Sequence, residues 1–144
     1  MIKDLNLNIN KLEEVMKIWL ETNIDAHDFV AKEYWIKNYN LVKDLLKEAD
    51  VYIFEEDNIV KGFVGIVENN YIGGIFVSKD YQREGVGQKL IDFCKSKYPY
   101  LTLNVFTKNK KALNFYNKNG FVVLEELINE DTKEREYLMS FGQK

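Results

Sequence analysis

The chain has 144 residues, 46% of them hydrophobic and 14% aromatic, which suits one globular domain over 1–144 with a sizeable core. A formal net charge of −3 argues against a dedicated nucleic-acid binder, whose surface would be basic. Cys94 is the only cysteine, so no intrachain disulfide can form and a reducing compartment fits. The N-terminal MIKDLNLNIN has neither a basic n-region nor an apolar h-region, and no apolar run approaches the roughly 20 residues that span a bilayer. A cytoplasmic location without a membrane partner is the expectation.

Taken in chain order, 2–5 reads as a short strand. Asn10, with Glu13 three residues on, has the pattern of a capping box. Leu12, Val15, Met16 and Trp19 then recur at helical spacing, which predicts a helix to about 22. Residues 23–31 are irregular and hold the only histidine, His27. A second helix carries Trp35, Tyr39, Val42, Leu45, Leu46 and Ala49 on one face. Strands at 51–55 and 59–67 flank the turn Glu56-Asp57-Asn58, and Glu68-Asn69-Asn70 turns into a strand at 71–77. A helix follows with Val86, Leu90 and Cys94 on one face, and Pro99 breaks it before a strand at 101–106. A fourth helix starts near Asn109 and stops at Asn119-Gly120, and strands at 121–127 and 135–141 close the chain. This order predicts an α/β fold with a mixed, mostly antiparallel central sheet of about seven strands and four helices.

The strand at 71–77 delivers the loop Gln82-Arg83-Glu84-Gly85-Val86-Gly87 to a helix start. Unpaired N–H groups, the helix dipole and glycine's small size make such a turn a holder of phosphate, and Arg83 adds a charged donor. A Walker loop is excluded because no Gly-Lys-Ser/Thr follows. A dinucleotide fingerprint lacks its third glycine, since Leu90 stands in its place. A plainer reading leaves Gly85 and Gly87 making only a tight turn.

Two features lift the loop above that reading: the pattern Gln-x-x-Gly-x-Gly after the fourth strand, and the downstream runs Asn104-Val105-Phe106, Asn109 to Tyr116 and Asn119-Gly120-Phe121. Together they resemble the GNAT superfamily, the Gcn5-related N-acetyltransferases, and the element order matches over essentially the whole chain. The run Trp19 to Thr22, with His27-Asp28-Phe29 and Tyr34-Trp35, is similar to a branch of small bacterial members, the YiaC/YjaB-like acetyltransferases. The resemblance implies acetyl-CoA as acetyl donor and a primary amine as acceptor, a protein lysine or N-terminal amine ahead of a small amine or amino acid. No metal is implied.

By that resemblance the pantetheine arm lies between the fourth and fifth strands against Ile75, Phe76 and Val77. The pyrophosphate sits on Arg83, Glu84, Gly85, Val86, Gly87 and Gln88, with Gln82 beside it. Gly73 and Gly74 suit a bulge that leaves room for the acetyl group, or they relieve crowding in the sheet. Tyr116 would protonate the departing thiolate, against the alternative of a packed core tyrosine. Asn109 fits both a helix cap and a contact to the pantetheine arm. Many relatives have a glutamate where this chain has Asn104, which cannot take a proton; Asn104 is kept as a cofactor-side residue. His27, Glu68 or a water then remain as the base. Trp19, Phe29, Tyr34 and Trp35 could wall the acceptor or sit in the core. A non-catalytic acyl-CoA sensor is the competing class of function. The closing strands leave an edge that a second copy could pair with.

Overall fold

A computed structural model describes residues 1–144. In chain order the elements are β1 (Ile2–Asp4), α1 (Leu12–Ala26), α2 (Lys32–Glu48), β2 (Asp50–Glu56), β3 (Ile59–Val67) and β4 (Tyr71–Val77), then α3 (Val86–Lys97), β5 (Tyr100–Phe106), α4 (Lys110–Lys118), β6 (Val122–Ile128) and β7 (Arg135–Gly142). Short 3₁₀ turns at Leu5–Leu7 and Ile9–Lys11 lie in the β1–α1 connection, and one at Lys79–Tyr81 lies between β4 and α3. No helix is long and apolar enough to cross a membrane.

The seven strands form one sheet in the order β1-β2-β3-β4-β5-β7-β6. Every neighbouring pair is antiparallel except β4 and β5. That parallel pair is matched at only two positions, Tyr71 with Thr102 and Ile72 with Leu103. Past them the two strands separate, and a wedge opens in the middle of the sheet. The register shifts between Gly65 and Ile66 of β3, leaving Gly73 of β4 without a partner, and this bulge bends β4 at the point of divergence, the place the glycine pair suggested. Gly74 sits at φ 146°, and a Cβ there would stand 2.4 Å from the Phe76 ring. Glycine is therefore required at 74 for the bend itself.

Alternation along the strands divides the apolar side chains between two cores. Ile72, Leu101, Leu103, Val105 and Met139 pack with Val86, Leu90, Ile91 and Cys94 of α3 and with Leu113 and Tyr116 of α4. Val51, Ile53, Phe63 and Phe106 pack on the other face with Val15, Met16 and Trp19 of α1 and Trp35 and Leu46 of α2. The helix pairs thus cover opposite faces of the sheet.

Two expectations need correction. Asn10 does not cap α1: the 3₁₀ turn at Ile9–Lys11 runs straight into the helix with Lys11 in helical conformation, so the chain never makes the break a cap requires. Glu13 turns outward to pair with Lys43 of α2 instead of reaching back. The helix also continues past 22 to Ala26, because Asn23 is buried and bonds back to the Trp19 carbonyl at 2.9 Å. His27 consequently stands at the helix end and not in an irregular stretch.

Candidate functional site

The wedge between β4 and β5 opens into a cleft of about 760 Å³ that runs from the glycine loop, past the strand gap, to the ends of α1 and α2. Backbone register determines which groups β4 presents to it. Ser78 N–H donates to Lys61 O, so alternation along the ladder turns the Phe76 backbone toward β3 and leaves the backbone groups of Ile75 and Val77 facing the gap. Of the three residues assigned to the pantetheine arm, Ile75 and Val77 can pair with an added strand; Phe76 cannot, and its ring instead stacks on Phe63.

At the loop end, Arg83 and Gly85 both adopt left-handed backbone, φ 70° and 81°, which rolls the chain into the first turn of α3. A Cβ at Gly85 would meet nothing within 4 Å, so the conformation and not space calls for glycine there. Arg83, Gly85, Val86, Gly87 and Gln88 line the cleft. Glu84 does not; its carboxylate turns away to Lys61 at 3.4 Å. Gln82 bridges the loop, donating to Val77 O at 3.2 Å and accepting from Lys111 Nζ at 3.1 Å. Lys111, Phe115 and Lys118 also line this end. Their spacing of i, i+4 and i+7 on one face of α4 was present in the sequence.

Tyr116 is 7% exposed, under the gap on the α3–α4 side, and it lines the cleft. Burial pushes its phenol well above the usual tyrosine range, opposed in part by the nearby Ile75 backbone. Cys94, wholly buried beneath it, has its thiol pushed up to about 12 by burial. Such a thiol is not a ready nucleophile.

His27 reaches the opposite side of the gap. Its Nδ1 lies 3.0 Å from the Asn23 carbonyl, which can only accept, so Nδ1 carries the hydrogen. Nε2 then accepts from Asn109 Nδ2 at 3.0 Å, while Asn109 Oδ1 accepts from the Ala112 N–H as the cap of α4. The ring stacks on Trp35 at 5.3 Å and meets Phe29 and Phe106 edge-on. Burial lowers its pKa below 6.5, with the Asn23 bond acting the other way. The histidine is held neutral with both nitrogens occupied, an arrangement suited to joining α1 to α4 and poorly suited to taking a proton. Asn109 faces His27 with one end of its amide and caps α4 with the other. Trp19 and Trp35 are both core residues and cleft floor, while Tyr34 is half-buried beside them.

Glu68 is not brought to the cleft. It is exposed at φ 53° in the β3–β4 turn, beyond the paired end of β4 and away from the divergence. A carboxylate the sequence did not single out stands in the cleft: Glu136 of β7. Asn104 Nδ2 donates to its Oε1 at 3.4 Å and Asn129 Nδ2 to its Oε2 at 3.1 Å. Tyr71 O–H donates to Asn104 Oδ1 at 2.8 Å. Asn104 is therefore engaged on the α1–α2 side of the sheet, away from the glycine loop. Burial first, and the Glu136 charge second, raise the Tyr71 phenol; Tyr34 is raised by burial, then by Asp131 and Glu136. Only the pairing of β5 with β7, distant in sequence, brings these groups together.

The cleft so built has a glycine loop at a helix start at one end, a buried tyrosine at the gap, and an acidic, aromatic chamber beyond. Residues 24–133 match the family described as acetyltransferase (GNAT) domain. The chain is 32% identical over 133 residues to the peptidyl-lysine N-acetyltransferase YiaC of Escherichia coli (strain K12), covering 92% of this chain and 91% of that one. The solution structure of apo YjaB from Escherichia coli superposes with a TM-score of 0.83 at 26% identity, over 99% of this chain and 98% of that chain. A Bacillus anthracis str. Ames acetyltransferase solved with acetyl coenzyme A matches at 27% identity and a TM-score of 0.58, over 67% and 64% of the two chains. Motif, split sheet and similarity agree: the chain belongs to the GNAT family of acetyltransferases.

Proposed function

We propose that the enzyme moves the acetyl group of acetyl-CoA directly to the side-chain amine of a lysine in a peptide or protein. The observation that carries this reading is the polarity of the cleft. Arg83, Lys111 and Lys118 stand at the glycine-loop end, where a polyanionic cofactor would bind, and Glu136 stands at the other, beside Tyr34 and Tyr71. A carboxylate flanked by aromatic rings suits a long aliphatic stem that ends in a cation. Relatives named for peptidyl-lysine acetylation support the same acceptor.

Within a ternary complex the sequence of events is short. Val77, and Ile75 beside it, offer backbone groups to the pantetheine arm as a neighbouring strand would. A free amine attacks the thioester carbonyl, the C–S bond breaks, and Tyr116 gives its phenolic proton to the departing sulfur. No enzyme-bound acyl intermediate is needed, and the buried Cys94 offers none.

The test is thiol release from acetyl-CoA with N-terminally blocked lysine peptides, peptides with a free N-terminus and blocked lysines, and small amines. Turnover confined to the first set supports the lysine reading. Turnover only with free N-termini or with small amines would replace it with those acceptors. Tight acetyl-CoA binding without turnover on any acceptor would mark a sensor.

A further inference from the structure

We infer that Glu136 is the group that takes the proton from the acceptor amine. This rests on the lysine-acceptor reading above, and it assigns the base to a strand on which the sequence motifs place no catalytic group.

The position follows from the sheet. Glu136 pairs in register with Phe106 and Leu138 with Asn104, so Glu136 lies on the same face as Asn104, toward α1 and α2. Tyr116 lies on the opposite face, with the α3–α4 core. The gap between β4 and β5 separates them, and both line the one cleft. An amine entering from the α1–α2 side would meet the Glu136 carboxylate first, and the sulfur it displaces would leave toward Tyr116.

The carboxylate is also held ready. Its two oxygens accept from the neutral amides of Asn104 and Asn129, which orient it without neutralising it. Of the basic side chains nearby on the same strands and turn, Lys108 pairs with Glu134 at 3.0 Å and Arg135 with Glu126 at 3.1 Å, while Lys133 is exposed and does not line the cleft. The titratable groups that feel the Glu136 charge are Tyr71 from β4 and Tyr34 from α2, the latter also reached by Asp131 from the β6–β7 turn, and none of them is a cation. Glu136 is the one acidic residue lining the cleft, and His27 has both nitrogens engaged.

The proton account closes. One proton of the lysine ammonium passes to a Glu136 oxygen, and the freed lone pair forms the C–N bond as the C–S bond breaks. The thiolate takes the Tyr116 proton. The second amine proton, lost as the amide forms, restores Tyr116 through solvent, and Glu136 releases its own to bulk water. One acetyl group is transferred and one proton is released overall.

The experiment compares the enzyme with its Glu136→Gln variant on a lysine peptide that the wild type acetylates, at about pH 7 and about pH 9, below the lysine pKa of about 10.4. The expected loss in kcat/KM is about 100-fold or more at the lower pH, and it shrinks by about tenfold per pH unit as more acceptor arrives already neutral. Acetyl-CoA Kd, measured by calorimetry, should stay within about twofold. Wild-type turnover in the variant, or a loss equal at both pH values, overturns the inference, the second outcome leaving Glu136 only a support for Asn104 and Asn129. If Glu136→Gln fails to bind acetyl-CoA, Glu136→Asp decides: a lower rate with the wild-type pH dependence supports a carboxylate base, and a deficit that closes with pH overturns it. Should the wild type acetylate no lysine peptide, the acceptor reading fails by itself, and the same two-pH comparison on the accepted small amine still judges Glu136.

Discussion

Burial keeps the Tyr116 phenol protonated far above neutral pH, so the proton proposed for the departing sulfur is in place. The same burial limits what replacing it can disturb. Tyr116→Phe keeps the ring that packs on Phe115 and Phe121, and it deletes only the hydroxyl near the Ile75 backbone. We expect kcat to fall by about 100-fold or more, with acetyl-CoA affinity within about twofold, as measured by steady-state kinetics and calorimetry. Unchanged kcat would leave Tyr116 as packing alone. The distance of Tyr116 from Asn109 and Gly120 could be read from a single stretch of chain, because one helix and its stop fix it. Glu136 could not, since its place depends on pairing with Phe106, thirty residues earlier, between β5 and β7.

Between elements, the His27–Asn109 contact joins the end of α1 to the start of α4, the two helices on opposite faces of the sheet. Asn109→Ala removes the cap of α4 and the hydrogen-bond donor to Nε2 together. We expect a loss of about 1–2 kcal/mol, read as a drop of about 3–6 °C in Tm. The contact is also pH-dependent, with a sign that can be worked out. Burial depresses the folded-state pKa of His27 below 6.5, so the unfolded chain binds more protons in that window. The contribution is complete above about pH 6.5 and is lost as pH falls toward the lowered value. His27→Gln, whose amide oxygen can accept from Asn109 without titrating, should flatten the fall in Tm between about pH 7.5 and pH 5.5; an equal fall in both proteins would remove His27 from the account. Periodicity revealed the elements themselves with ends within a few residues, and Asn109 was legible as a cap. Asn10 was misleading because the sequence pattern of a cap says nothing of the 3₁₀ turn that makes it unnecessary. The partner of His27 was likewise hidden, lying 82 residues away.

At the scale of the molecule, two half-sheets, β1–β4 and β5–β7, meet at two registered positions and are held together mainly by the helices on each face. The open edge of β4 beyond Ile72 is therefore a strand position waiting for a partner, and alternation makes its response residue-specific. The Val77 N–H points into the gap, whereas the Phe76 N–H is turned to β3. Acetyl-CoA at about 100 times its Kd stabilises the folded state by about 2.7 kcal/mol. If the pantetheine arm supplies the missing strand, amide hydrogen exchange should slow at Val77 by more than that global increment predicts. Phe76 should show the global change alone, and Phe63, its partner across the β3–β4 ladder, should follow it. Equal slowing at Val77 and Phe76 would mean that the cofactor tightens the protein without pairing to β4, and the wedge in the sheet would then be only a route for the thioester.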